Sequence, residues 1–179
     1  MVTILDEIEI VVKPANQLTE QEDRELDELS HLAFSQDHHE EDILWSEANW
    51  YIFVKVRGII RSQVEIIERT GLVNGRLVKL GGIGGVATTP EWQRRGLSSL
   101  AMQKAFIYIK DTLGVEFGIL ICGDHRVSFY KRLGWQVIEG PLFFYQPGGR
   151  RKNDGVTMIL PCSVAVWPAG EIDLCGLPF

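Results

Sequence analysis

The sequence predicts an α+β, mixed-sheet fold, and three observations carry that expectation. Alternating apolar runs separated by turn signals fill the middle third of the chain. Helical periodicity takes over after residue 90. The order of elements then turns an antiparallel meander into strand–helix–strand–helix–strand.

Taken in order, ILDEIEIVV at 4–12 is β-branched and roughly alternating, which predicts a first strand. Thr19 and Glu22 have the spacing of a capping box, and Leu26, Leu29, Leu32 and Ala33 follow on one helical face. A helix is therefore expected over 19–34. WYIFVKV at 50–56 and IIRSQVEIIE at 59–68 read as partner strands around an Arg57-Gly58 turn. Asn74-Gly75 is the strongest hairpin signal and leads into RLVKLGGIGGVATT, a long strand crowded with glycine. From Gln93 to Leu113, residues Leu97, Leu100, Ala101, Ala105, Tyr108 and Ile109 share one helical face. A strand at 115–122 follows, then a short helix with Asp124 as its N-cap and Gly134 at C′. Strands at 135–139 and near 155–162 complete the expected body, a single domain over 1–179.

The chain has 179 residues, 45% of them hydrophobic, and a mean hydropathy near zero, which is enough to bury a core and excludes a disordered tail. No run approaches the roughly 20 apolar residues that span a bilayer, and no basic-then-apolar leader opens the chain. The cysteines Cys122, Cys162 and Cys175 are scattered, so reduced thiols in a cytoplasmic protein are expected, not disulfides or a metal site. A net charge of −6 disfavours nucleic acid and suits a cationic small molecule. Acid concentrates over 19–47, whereas QRR at 93–95 and GGRRK at 148–152 are basic; each run also reads as a solvated face.

Two segments carry potential chemistry. In GGIGGVATTPEWQRRGLSS, residues 81–99, four glycines in five positions of a strand imply a bulge or a close approach to the backbone. The helix start that follows offers free N–H groups, the positive end of the helix dipole, Arg94 and Arg95, and small Gly96. These are the ingredients of a pyrophosphate cradle, although a glycine-kinked strand before a basic helix reads equally well. No Walker string GxxxxGK[ST] is present. The second segment is FYKRLGW at 129–135, whose Tyr130 hydroxyl has the chemistry of a general acid toward a leaving thiolate.

With these motifs in this order, the chain resembles the GCN5-related N-acetyltransferases (GNAT), which carry acetyl-CoA pyrophosphate on a Q/R-x-x-G-x-G/A turn. Here the turn is Gln93-Arg94-Arg95-Gly96-Leu97-Ser98, with serine in the last place. The resemblance implies a central, mostly antiparallel sheet with a splayed fourth strand whose backbone pairs with the pantetheine arm. Within the family, LVNGRLVKLGGIGGVATTPEWQRRGLSSLAM, SFYKRLGWQVIEGP and NDGVTMILP resemble the aminoglycoside 2′-N-acetyltransferases. The ending VWPAGEIDLCGLPF is similar to the tail of the nodulation-factor N-acyltransferases. Departures are visible too. The aminoglycoside enzymes have a glutamate where this chain has Gly84, an acid where it has Leu177, and a terminal tryptophan where it has Phe179.

The resemblance implies transfer of an acetyl group from acetyl-CoA, without a metal, to a primary amine of a small molecule such as an amino sugar or aminoglycoside. The alternatives are a longer-chain acyl donor or a catalytically weak acyl-CoA sensor. It implies the Val86 backbone N–H as oxyanion donor, Tyr130 as acid, and Val86, Ala87, Thr88 and Gln93–Ser98 as the donor's contacts. For the base, Glu47, Glu171, Asp173 and the carboxylate of Phe179 all stay open, as does a water relay. Asp37, Glu40, Glu41, Asp42 and Trp45 fall where the family builds its acceptor pocket. A monomer or homodimer, with no membrane or nucleic-acid partner, is expected.

Overall fold

A computed structural model describes residues 7–34 and 43–179. β1 (Ile8–Pro14) leads into α1 (Glu20–Phe34), and the meander β2 (Trp50–Val56), β3 (Ile59–Val73) and β4 (Arg76–Thr88) follows. Both hairpins turn as their residues require. Arg57-Gly58 and Asn74-Gly75 each have two consecutive positive φ angles (52° and 78°, 47° and 75°), the primed turn whose twist matches its strands. The capping box at the start of α1 forms: Thr19 Oγ1 accepts from the Glu22 N–H at 3.2 Å, and Glu22 Oε2 accepts from the Thr19 N–H at 3.0 Å.

β4 hands over to α2 (Leu97–Ile107), which closes in a π turn over Tyr108–Thr112 and returns through β5 (Phe117–Cys122). α3 (Val127–Arg132), β6 (Gln136–Val137), β7 (Leu142–Gln146), β8 (Gly149–Lys152), β9 (Val156–Pro161) and β10 (Ile172–Asp173) complete the described chain. Among the described residues ten strands form one sheet in the order β6-β9-β5-β4-β3-β10-β7-β8, with β1-β2 attached beside β3. It is mostly antiparallel; β4 runs parallel to β5, and β10 parallel to β7.

The alternation of the strands splits the core between two faces. Ile52, Val54, Val64, Ile66 and Ile83 pack under α2 and α3. On the opposite face Phe53, Ile60 and Ala87 pack under Leu26 and Leu29 of α1, and Ile67, Val78, Leu80 and Phe117 gather around Phe179. Each of the larger side chains among these, fully buried, contributes about 1.5–3 kcal/mol over leaving it in water.

Four expectations are corrected. The helix expected from Gln93 starts at Leu97, because Arg94 (φ 59°) and Gly96 (φ 84°) are left-handed and hold 93–96 out of a right-handed helix. Asp124 does not cap α3; it opens a 3₁₀ turn over Asp124–Arg126, and α3 has no side-chain cap. The first strand, expected over 4–12, runs over Ile8–Pro14 among the described residues, two residues beyond the expected end, so that it lies alongside all of β2; residues 4–6 lie outside the described residues. Finally, β7, β8 and β10 were not expected. LFFYQ is nearly continuously apolar and lacks alternation, GRRK reads as a solvated basic run, and β10 has only two residues.

Candidate functional site

The sheet opens where glycine is densest. β4 and β5 pair only over Leu80–Ile83 and Phe117–Leu120, and beyond these residues the two strands part. At that point β4 also bulges against β3. Its register passes from Glu65↔Gly84 to Gln63↔Ala87, so Gly85 and Val86 share the space opposite Val64 without partners of their own. Gly85 takes φ 54°, and a side chain there would run into the Glu65 carboxyl group. The backbone of Gly84–Ala87 thus faces an opening that no strand fills.

The turn at the mouth of this opening is braced from within. Gln93 Nε2 donates to the Thr88 carbonyl (3.2 Å), Ser98 Oγ lies 2.6 Å from Thr88 Oγ1, and Ser62 Oγ lies 2.8 Å from the same oxygen. Ser98 therefore ties the start of α2 to the end of β4. Leu100 N–H bonds the Gly96 carbonyl at 3.0 Å, and the N–H groups of Leu97, Ser98 and Ser99 precede that first full helical turn. The Arg95 guanidinium sits over the Trp92 ring, 4.7 Å from its centroid, and Gln93–Gly96 are all exposed. The turn can take an anion on backbone N–H groups flanked by two arginines.

Tyr130 reaches the same region from α3. It is buried, edge-on to Phe129 and Trp135, and belongs to the α2 face of the core. Burial, reinforced by the nearby Cys122 thiol at the end of β5 and only partly opposed by Arg126, pushes its phenol up to about 12. The hydroxyl stays protonated across the neutral range, as an acid must.

On the other face of the sheet lies a cavity of about 370 Å³, lined by Ala15, Leu18, Asp23, Ser46, Glu47, Ala48, Tyr51 and Glu65. Glu65 is its inner acid. Its carboxyl is raised to about 6 by burial first and by Asp27 second. Tyr51 is raised to about 12 by burial and then by Glu65, Asp27, Asp23 and Glu47 in turn. Gln63, wholly buried, donates to Ser30 Oγ at 2.8 Å and lies 3.5 Å from Glu65 Oε1. The sequence reading missed Glu65. Its signal was a polar pair, Gln63 and Glu65, alternating with the apolar Val64 and Ile66 of the same strand.

The remaining expected residues scatter. Asp37, Glu40, Glu41 and Asp42 lie outside the described residues. Trp45 is partly exposed in the segment that runs past the tail: Ser46 N–H bonds the Pro178 carbonyl at 2.8 Å, and Arg69 donates to Ser46 Oγ (2.7 Å) and to the Leu177 carbonyl. Phe179 covers the glycines of β4, with its ring on Gly82 and its carbonyl carbon 3.1 Å from where a Gly84 side chain would begin. A side chain at 84 would crowd the Phe179 backbone. Glu171 and Asp173 are held by Arg150, the latter at 3.1 Å, where β10 pairs with Leu72 and Val73. Along β3 that is seven residues from Glu65, about 23 Å at ~3.3 Å per residue. Among the described residues no three His, Cys, Asp or Glu side chains stand together as a metal site, and no helix is long and apolar enough to cross a membrane.

Comparison with known proteins gives the same architecture. Residues 15–138 match the family model of the acetyltransferase (GNAT) domain. The aminoglycoside 2′-N-acetyltransferase of Mycolicibacterium fortuitum is 24% identical over 140 residues, 72% of this chain and 69% of that protein. A GNAT family acetyltransferase from Brucella melitensis, solved in complex with acetyl-CoA, superposes with a TM-score of 0.62 at 12% identity over 92% of this chain and 94% of that one. A GCN5-related N-acetyltransferase from Kribbella flavida gives 0.56 at 17% identity over 75% of this chain. There the chain spans about a third (35%) of the other protein's length.

Proposed function

We propose, since the chain belongs to the GNAT acetyltransferase family, that it transfers an acetyl group from acetyl-CoA to a primary amine of a small cationic molecule, with amino sugars among the acceptors. The observation that carries this reading is the pairing of an opened, glycine-lined strand with an anion-binding turn at its mouth. The opening between β4 and β5 offers unpartnered backbone at Gly85–Val86 to an extended amide-bearing arm. The turn at Gln93–Ser98 suits a pyrophosphate at the far end of such an arm. The donor is a substrate that the enzyme consumes.

Four tasks fall to this chain's residues. Arg94, Arg95 and the first N–H groups of α2 hold the donor's phosphates. The Val86 N–H, turned out by the bulge, stabilises the thioester oxygen as it gains charge when the amine attacks the carbonyl carbon. As the carbon–sulfur bond breaks, Tyr130 protonates the sulfur and recovers its proton from the nitrogen. The acid-lined cavity on the α1 face draws in the cationic acceptor. Holding both reactants across the thin sheet at the bulge supplies much of the remaining acceleration.

The test is a thermal shift with acetyl-CoA, free CoA and a long-chain acyl-CoA, paired with Arg95→Glu. At ~100 times its dissociation constant the donor adds about 2.7 kcal/mol of stability. We expect acetyl-CoA to raise the melting temperature and Arg95→Glu to abolish most of the rise. No shift with any thioester overturns the reading, and a larger shift with the long-chain ester replaces acetyl by a longer acyl group.

A further inference from the structure

We propose that Glu65 is the catalytic base, taking a proton from the acceptor's ammonium at the inner end of the cavity beneath α1; the assignment rests on the transferase reading above. The geometry begins with register. Glu65 stands directly opposite Gly84, and its carboxyl fills the space a Gly85 side chain would occupy. The acid therefore touches the backbone of the bulge whose next residue, Val86, is the proposed oxyanion donor. An amine entering from the α1 face meets Glu65 immediately before it meets the thioester carbon.

Glu65 also lacks a cation. Most of the largely buried carboxylates in this fold are paired: Glu22 with Lys13 and Lys55, Glu116 with Arg76, and Asp173 with Arg150. Among the described residues no lysine or arginine pairs with Glu65. Its polar contact is the Gln63 amide at 3.5 Å, and the Gln63 carbonyl oxygen is itself buried without a partner. The groups that face Glu65 from neighbouring elements are acidic or neutral: Asp23 and Asp27 of α1, Glu47 of the segment before β2, and Tyr51 of β2. The Phe179 backbone lies over Gly84 beside it. Of the two arginines on the same strand, each four residues away, Arg69 is turned to Ser46, Leu177 and the Phe179 ring, and the Nε of Arg61 is buried without a hydrogen-bond partner. A buried acid kept among other acids carries an uncompensated desolvation cost, and a bound ammonium removes that cost.

The step balances. The ammonium gives one proton to the Glu65 carboxylate and becomes a free amine, whose lone pair forms the bond to the thioester carbon. The nitrogen's second proton goes to sulfur by way of Tyr130 as the carbon–sulfur bond breaks. The products are an amide and a free CoA thiol, and Glu65 returns its proton to water through the open cavity.

The experiment measures thiol release from acetyl-CoA against pH with spermidine, glucosamine and kanamycin as probes, using the best of the three. We expect kcat/KM of the wild type to rise with a midpoint near pH 6, where the free enzyme's Glu65 loses its proton. Glu65→Gln should lower kcat/KM by about 10²–10⁴-fold. It should also remove the pH 6 limb and leave the acetyl-CoA thermal shift intact. Glu65→Asp should keep a limb at a displaced midpoint. A flat wild-type profile from pH 5 to 8 overturns the assignment even if no variant folds. So does a Glu65→Gln enzyme with wild-type rate and profile. If acetyl-CoA shifts the wild type but no probe releases thiol, the assignment falls while donor binding stands. Absence of both overturns the transferase reading itself.

Discussion

In the proposed mechanism single side chains divide the chemistry between the two faces of the sheet. Tyr130 lies on the α2 face and Glu65 on the α1 face, and the β4 bulge separates them. Their environments push both upward from their ordinary values, with opposite consequences. A carboxyl raised to about 6 is a base that is ready at neutral pH and still able to hold a proton. A phenol raised to about 12 is an acid that never ionises in the working range. Tyr130→Phe removes the proton source and only one oxygen from the packed α2 face. We expect kcat to fall by about 10²-fold with the acetyl-CoA thermal shift unchanged. Tyr130 itself should contribute no falling limb below pH 10; a falling limb that moves with the acceptor used belongs to the acceptor's own ammonium. A falling limb between pH 8 and 9 that disappears in Tyr130→Phe would show the phenol to be far more acidic than its burial dictates.

At the scale of elements, α1 shows how local signals and long-range contacts meet in one residue. Glu22 closes the capping box and also accepts from Lys13 of β1 (2.6 Å) and Lys55 of β2 (3.0 Å). Burial favours its neutral form, but these three donors win and hold the carboxyl near 2, well below its usual 4.5. Because the folded value is depressed, this contribution is complete above about pH 4.5 and drains away as pH falls toward 2. Glu22→Gln keeps an acceptor for the capping box and removes only the charge. It should cost about 1–3 kcal/mol at pH 7 by urea melting, a gap that closes as the wild type protonates. An equal gap at pH 3 and pH 7 would mean that the charge contributes nothing. The capping box was legible in the sequence because Thr19 and Glu22 are three residues apart; the lysines were not, because pairing of β1 with β2 brings them in. The same distinction holds throughout. Asn74-Gly75 and the glycine run are local strings with local geometry, and both were readable; the Gln93–Ser98 string was visible too, but not the left-handed Arg94 and Gly96 that keep 93–96 out of the helix. Glu65 became visible only when β3 was registered against β4, and β7, β8 and β10 lacked alternation or length. Ser98, the one departure in the turn, has a structural use in its bond to Thr88 that no string shows.

Over the whole molecule, the tail and the segment 43–49 act as one clasp on the face that carries the Glu65 cavity. The Leu177 and Pro178 carbonyls bind Arg69 and Ser46, the Leu44 backbone exchanges hydrogen bonds with Gln146 of β7 at 2.9 Å each way, and Phe179 inserts against Gly82. The clasp joins β3, β4 and β7 and forms one wall beside the Glu65 cavity through Ser46. Glycine at 82 is what admits it, since a side chain there would collide with the Phe179 ring, and one at 84 would crowd the Phe179 backbone. Phe179→Ala removes a buried aromatic ring from the cluster of Ile67, Leu80, Phe117 and Leu174 and leaves a void over β4. Such truncations cost about 3–5 kcal/mol, or roughly 6–20 °C in Tm for a chain of this size. The proposed donor opening is built from β4, β5 and α2 and does not include this ring. The acetyl-CoA shift should therefore persist in Phe179→Ala while KM for the amine rises, because the wall next to Ser46 loosens. Phe179→Leu, which refills most of the void, should restore much of the Tm. If Phe179→Ala instead melts like the wild type, the tail is not packed on the glycines of β4, and the acceptor cavity has a different wall.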